Sequence, residues 1–338
     1  MKTLGLFAVM VLPLLPLAAQ AQNPVLNLYS ARHYQTDERL YEDFTKQTGI
    51  KINRIEGKEE ELLERLRNEG ANSPADVFIT VDAARLAVAH ELGLFMPVQS
   101  KVLEQRIPKH LRTEDWFSFS TRARVIVYNK AELQADQVQT YESLVAPALK
   151  GKVCTRSGAH PYSLSLMASL ISHNGEAAAE QWAKGMVANF ARAPKGGDTD
   201  QIRAVAAGEC GVAIANSYYV ARLLRSDKPE DQKVMAKVGV VWPNQQGTGT
   251  HINVSGAGVL KHAPNKAAAI RFLEYLASDQ AQRYFADGNN EWPVVSSVKF
   301  ENPAFVALGS FKADKLPVAS LAMHRTKAQM IFDRVGYR

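Results

Sequence analysis

The sequence predicts an α/β protein of two lobes, with mixed sheets covered by helices and strands that pass between the lobes. Three observations carry this expectation. Short apolar runs alternate with amphipathic helical stretches in both halves, which is the pattern of mostly parallel sheets covered on both faces. The chain that remains after an N-terminal leader is too long for one core. A valine- and isoleucine-rich run, Thr121 to Tyr128, reads as a strand that crosses between the lobes.

Residues 1–21 read as a secretion signal rather than as fold. Lys2 supplies the positive start and Leu4 to Leu17 an apolar run interrupted by Pro13 and Pro16. Ala19-Gln20-Ala21 is a small-x-small cleavage site before Gln22. Cleavage after Ala21 leaves 317 of the 338 residues and lowers the net charge from +6 to +5, because Lys2 is lost. No later stretch is as apolar, so an exported, soluble chain is expected, periplasmic in a Gram-negative cell. No cysteine stands directly after the leader, where Gln22 follows Ala21, which argues against a lipid anchor. The charge is modest and dispersed, which argues against nucleic acid as a partner.

The first half alternates strand and helix. Val25 to Ser30 is a short strand, and Thr36-Asp37-Glu38 opens a helix with an N-cap candidate and acids in its first turn. Leu40, Tyr41 and Phe44 give that helix an apolar face, and Gly49 ends it. Ile50 to Ile55 is a strand, Glu59 to Glu69 a helix with Leu62, Leu63 and Leu66 inward, and Ser73-Pro74 a turn. Ala75 to Val81 is a strand, and Leu86 to Leu94 a helix that stops near Pro97.

The second half repeats the theme. Lys152 to Arg156 reads as a strand, Gly158-Ala159-His160-Pro161 as a turn, and Tyr162 towards His173 as a helix. Helices follow over Glu176 to Phe190 and Thr199 to Ala207, the latter closed by Gly208. Gly211 to Ala215 is a buried strand that meets two N-cap candidates, Asn216 and Ser217, before a helix through Leu224. Lys237 to Trp242 is a return strand. Gly247-Thr248-Gly249 and Gly256-Ala257-Gly258 punctuate the next segment, and Asn265 to Asp287 reads as one long helix. The two cysteines, Cys154 and Cys210, flank apparent strands. In an oxidising compartment they form a candidate disulfide, with two buried free thiols as the alternative.

Function is suggested by where the tyrosines fall. His33-Tyr34 follows the first strand, Tyr162 occupies the same kind of place later, and Tyr218-Tyr219 does so again. In open α/β sheets ligands bind beyond the carboxyl ends of strands. Four of eleven tyrosines gather there, while Tyr41, Tyr275 and Tyr284 sit on helix faces and Tyr29 reads as loop support or core. Phenols offer anionic oxygen only when something strongly favours ionisation, and a trivalent iron does so. Zinc or copper would more often recruit several histidines or thiolates. Only His33 is well placed for that, with His160 close to Tyr162.

With these residues in place, the chain resembles the periplasmic ferric-ion-binding proteins of iron ABC transporters, of the Fut/Fbp type. The stretches that carry the likeness are Tyr29-Ser30-Ala31-Arg32-His33-Tyr34, Asn72-Ser73-Pro74-Ala75-Asp76-Val77 and Arg122-Ala123-Arg124-Val125-Ile126-Val127-Tyr128-Asn129-Lys130. Val187-Ala188-Asn189-Phe190-Ala191-Arg192 and Asn289-Asn290-Glu291-Trp292-Pro293-Val294-Val295 add to them. The resemblance implies a type II periplasmic-binding-protein fold closing on one iron. On that reading the lobes are 22–121 with about 247–298, and about 122–246 with 299–338. The implied ligands are His33, Tyr34, Tyr162, Tyr218 and Tyr219, with Arg122, Arg124 and Arg222 as supporting charges. The turn before Tyr162 departs from the family's more polar sequence, which leaves His160 as an alternative donor. Fe3+ is the expected cargo, with Fe2+ the alternative, and a monomer delivering to an inner-membrane ABC permease is expected. A binding protein for a small anion or organic solute is the other reading. A secreted hydrolase lacks support, since there is no G-x-S-x-G, no H-E-x-x-H and no evident acid/base pair.

Overall fold

The computed structural model describes residues 24–32 and 34–338, so the expected leader and His33 lie outside the described residues. Nine strands are described: β1 (Val25–Ser30), β2 (Lys51–Glu56), β3 (Val77–Thr80), β4 (Trp116–Asn129), β5 (Val153–Cys154), β6 (Val212–Asn216), β7 (Val238–Val241), β8 (Ile252–Val259) and β9 (Trp292–Pro293). The main order is β2-β1-β3-β8-β4-β6-β5, with β7 and β9 also on β4. β1, β2 and β3 are parallel to one another, as are β5 and β6, while β4 runs antiparallel to β6, β7, β8 and β9.

The 14-residue β4 is the crossing strand. Its first half pairs with β8 over Trp116 to Ala123, and its second half pairs with β6 from Arg124 to Tyr128. The cores change over at the same point. Phe117, Phe119 and Ala123 pack with Leu26, Phe78, Val254 and Phe272. Ile126 instead packs with Met167, Trp182 and Phe332, and Val125 and Val127 with Ile202 and Val220. The helix Ala319–Met323 packs on both Ala83–Glu91 and Pro161–Asn174, so the C-terminal segment bridges the two parts.

Most predicted elements are present, and the differences have local causes. Helix Asp37–Thr48 ends at Gly49 in the left-handed region at φ 73°, but the Thr36 hydroxyl does not cap it and donates to Asn289 Oδ1. The segment expected as strand Lys152 to Arg156 keeps only two paired residues, because the chain turns away after Cys154 towards Tyr162. The expected long helix from Asn265 to Asp287 is broken. Lys266–Leu276 ends, and Ser278 Oγ accepts the Ala281 N–H to start Asp279–Arg283, followed by a π-helical turn over Tyr284–Gly288. Gly256 and Gly258 lie inside β8, where a Cβ would come within 2.6 Å of the Phe117 carbonyl oxygen and 2.5 Å of the Phe95 ring. They permit close packing inside a strand. Cys154 and Cys210 form a disulfide that joins β5 to a point two residues before β6. Among the described residues no helix is long and apolar enough to cross a membrane.

Candidate metal centre

The carboxyl ends of β1, β5 and β6 bring the candidate tyrosines together. Tyr162 and Tyr218 each occupy the second position of a helix, Pro161–Asn174 and Ser217–Leu224. Pro161 suits the first helical position because its missing N–H would be unpaired there anyway. Both phenols therefore sit at the positive end of a helix dipole. Their hydroxyls are 3.0 Å apart, and the Tyr218 and Tyr219 rings lie 4.2 Å apart. Tyr34, Tyr162, Tyr218, Tyr219, Arg222 and Asn290 line one cavity of about 440 Å³. Among the described residues no group of three or more His, Cys, Asp or Glu side chains is placed to hold a metal. The hard donors gathered here are phenols.

Burial dominates the acidity of these phenols. It raises Tyr34 above the ordinary phenol range, with Glu291 pushing the same way and Arg122 and Arg32 pulling it down. It pushes Tyr162 up to about 12, against the pull of Arg122. It raises Tyr218 well above the usual value, and charge on Tyr34, Tyr162 or Tyr219 raises it further. These phenols therefore carry their protons at neutral pH.

Arginines surround the cluster. Arg122, Arg124 and Arg156 place their guanidinium carbons 6.0, 5.8 and 5.0 Å from the Tyr162 ring centre, and Arg32 lies 4.8 Å from that of Tyr34. The exposed Arg222 stands 6.0 and 5.7 Å from the Tyr218 and Tyr219 rings. Arg124 Nη1 donates to Asp198 Oδ2 at 2.7 Å and to Asn216 Oδ1 at 3.1 Å. Asn216 is thus committed to Arg124 and does not cap the helix it precedes. Ser217 Oγ accepts the Ala123 N–H of β4, tying the tyrosine helix to the crossing strand.

The sequence reading missed Glu291, Arg32, Arg156 and Asp198. Glu291 is fully buried and accepts from Arg32, Arg122, Ser120 and Ser255. It joins the residue two before Tyr34 to both β4 and β8. The one signal was its place within the Asn289-Asn290-Glu291-Trp292-Pro293 motif. Tyr29 faces away from the cluster, its hydroxyl donating to Glu69 at 2.9 Å. His160 caps the Tyr162 helix, Nδ1 accepting the Tyr162 N–H at 3.2 Å, and burial with Arg156 pulls its pKa down to about 3.

The profile of the bacterial extracellular solute-binding proteins matches residues 39–313. Iron uptake protein A1 of Synechocystis is 49% identical over 315 residues, 93% of this chain and 87% of that protein. A Trichodesmium structure, IdiA (FutA) in complex with iron and citrate ligands, superposes with a TM-score of 0.90 at 53% identity, covering 93% of this chain and all of that one. Apo FutA2 from Synechocystis gives 0.89 at 49% identity, covering 94% and 100%. With its sheets, crossing strand and sequence in agreement, the chain belongs to the bacterial extracellular solute-binding proteins and has their two-lobed, type II periplasmic-binding-protein fold.

Proposed function

We propose that this chain captures one ferric ion in the cleft between its lobes and delivers it to an ABC permease in the inner membrane. The convergence of Tyr34, Tyr162, Tyr218 and Tyr219 from three separate strand ends carries this reading. The relatives support it, being an iron uptake protein and a structure with iron bound. His33, adjacent to Tyr34, is the fifth donor. Arg122, Arg124 and Arg222 offset the excess negative charge of several phenolates on one trivalent ion. The lobes are 22–121 with about 247–298, and about 122–246 with 299–338, in keeping with the change of core between Ala123 and Val125. The first lobe brings Tyr34 and the second brings the other three phenols, so only the closed form offers the whole donor set, and metal favours closure. The chain is exported, cleaved after Ala21, and acts as a monomer in the periplasm.

The test is the double substitution Tyr218→Phe/Tyr219→Phe. Changes beyond the ligands of metal sites already cost about 10- to 100-fold in affinity, so removing two ligands should cost at least ~10²-fold. Competition against a coloured ferric chelator measures it, with circular dichroism confirming the fold. Wild-type affinity in the double variant would refute the assignment.

A further inference from the structure

The tyrosine helix Ser217–Leu224 and the π-helical turn Tyr284–Gly288 belong to different cores but touch each other. Val220 and Leu223 of the helix pack with Ile202 and Val127, and Phe285 of the turn packs with Phe119 and Phe272. Ala221 and Ala286, from the same two elements, instead join Ala304 and Phe305 in a small apolar cluster of their own. The Trp292 ring stacks on Phe305 at 3.7 Å, and helix Pro303–Leu308 packs on the tyrosine helix. π-helical turns are rare and gather at functional sites, and here neighbouring residues of the turn serve different cores.

A polar clamp accompanies this cluster. Arg225, directly after the tyrosine helix, donates from Nη1 to the Asp287 carbonyl at 2.6 Å and to Asn290 Oδ1 at 2.8 Å. Asn290 is buried and holds φ at 57°, a left-handed conformation that asparagine tolerates better than most residues. The same Oδ1 accepts from Asn302 Nδ2 at 2.9 Å, and Asn302 Nδ2 also donates to the Ala286 carbonyl at 2.7 Å. Asn290 lines the tyrosine cavity, so the clamp ends at the wall of the site.

This contact is built to open. Alanines bury little apolar area, so parting them costs little. Arg225 is exposed and its acceptors are uncharged, so opening leaves no buried counter-charge behind. None of these groups is a proposed metal donor, so the clamp does not need metal. We propose that Arg225 is an interlobe positioning residue. Through Asp287 and Asn290 it holds the tyrosine helix to the turn of the first lobe before metal arrives, and it sets how long the closed cleft keeps its metal. The inference rests on the tyrosine site and the closure proposed above.

The experiment combines small-angle X-ray scattering with the rate at which loaded protein yields iron to excess EDTA. The variants are Arg225→Met, which keeps the stem and loses the donors, and Asn290→Gly, which keeps the left-handed backbone and loses the acceptor. Apo wild type should scatter as compactly as the loaded form, while both apo variants expand and contract again on loading. Release from Arg225→Met should be about tenfold faster than from wild type, the scale of one charge-assisted hydrogen bond, and Asn290→Gly should change it in the same sense. Circular dichroism checks each fold, and where one variant fails to fold the other decides. Apo wild type as expanded as the variants, variants that stay compact, or release at the wild-type rate would overturn the clamp while leaving the tyrosine site standing. Wild type that takes up no iron would overturn the tyrosine reading, and with it the metal-retaining role of the clamp.

Discussion

Each of the tyrosines Tyr34, Tyr162 and Tyr218 is protonated at neutral pH because burial outweighs the neighbouring arginines. Binding them as phenolates must shed their protons, so affinity falls as pH falls. Titration of iron into weakly buffered protein should release about one proton per phenol engaged, read by an indicator dye; no release would contradict phenolate binding. Without metal the same shifts act on stability in the opposite sense. A phenol whose folded pKa lies above its unfolded value of about 10 contributes stability that is present below that value and lost as pH rises through the folded one. Glu291 pairs with both Arg32 and Arg122, and Arg32 is also held by Asp37 at 2.7 Å. Glu291→Gln keeps much of the hydrogen-bonding shape but leaves buried Arg122 without its carboxylate, while Arg32 keeps Asp37. It should lower the urea-unfolding free energy of the apoprotein by ~3 kcal/mol, and an unchanged midpoint would show the network to be dispensable. The phenols were legible in the sequence because they fall at strand ends. Glu291 and Arg32 were not, since they meet across 259 positions and no local periodicity marks such a pair.

At the scale of elements, the disulfide pins β5 to the approach to β6. Cys154 and Cys210 close a stretch with a sequence separation of 56 and fasten β5 close to the start of β6, the strand that leads into Tyr218. Cys154→Ser/Cys210→Ser should cost about 2–4 kcal/mol in denaturant unfolding. The loss should be of stability more than of metal affinity, because neither cysteine lines the tyrosine cavity. A full-strength midpoint in the variant would show that β5 and β6 hold their register alone. The element boundaries that sequence reasoning placed well are those set by a local signal, such as Gly49 and Gly208 ending their helices in the left-handed region. What it misread were side-chain roles set by distant partners. Thr36 and Asn216 look like caps but are drawn to Asn289 and Arg124. The glycines of β8 look like loop punctuation but make room for Phe117 and Phe95.

At the scale of the whole molecule, β4 joins the β2-β1-β3-β8 part of the sheet to the β6-β5 part, and strand ends of both parts face one cleft. Strand–helix alternation and length were enough to anticipate two lobes. The position of the changeover within β4 follows from which core each side chain enters, and that depends on residues as remote as Phe272 and Phe332. On the proposed function, closure draws Tyr34 towards the three phenols of the other lobe, with the metal as their common partner. The most direct measurement is a ferric titration of the apoprotein, watching for a phenolate-to-iron charge-transfer band. The account predicts a band that saturates at one iron per chain and disappears in Tyr218→Phe/Tyr219→Phe. No band in wild type under oxidising conditions, or a band that persists in the double variant, would contradict it.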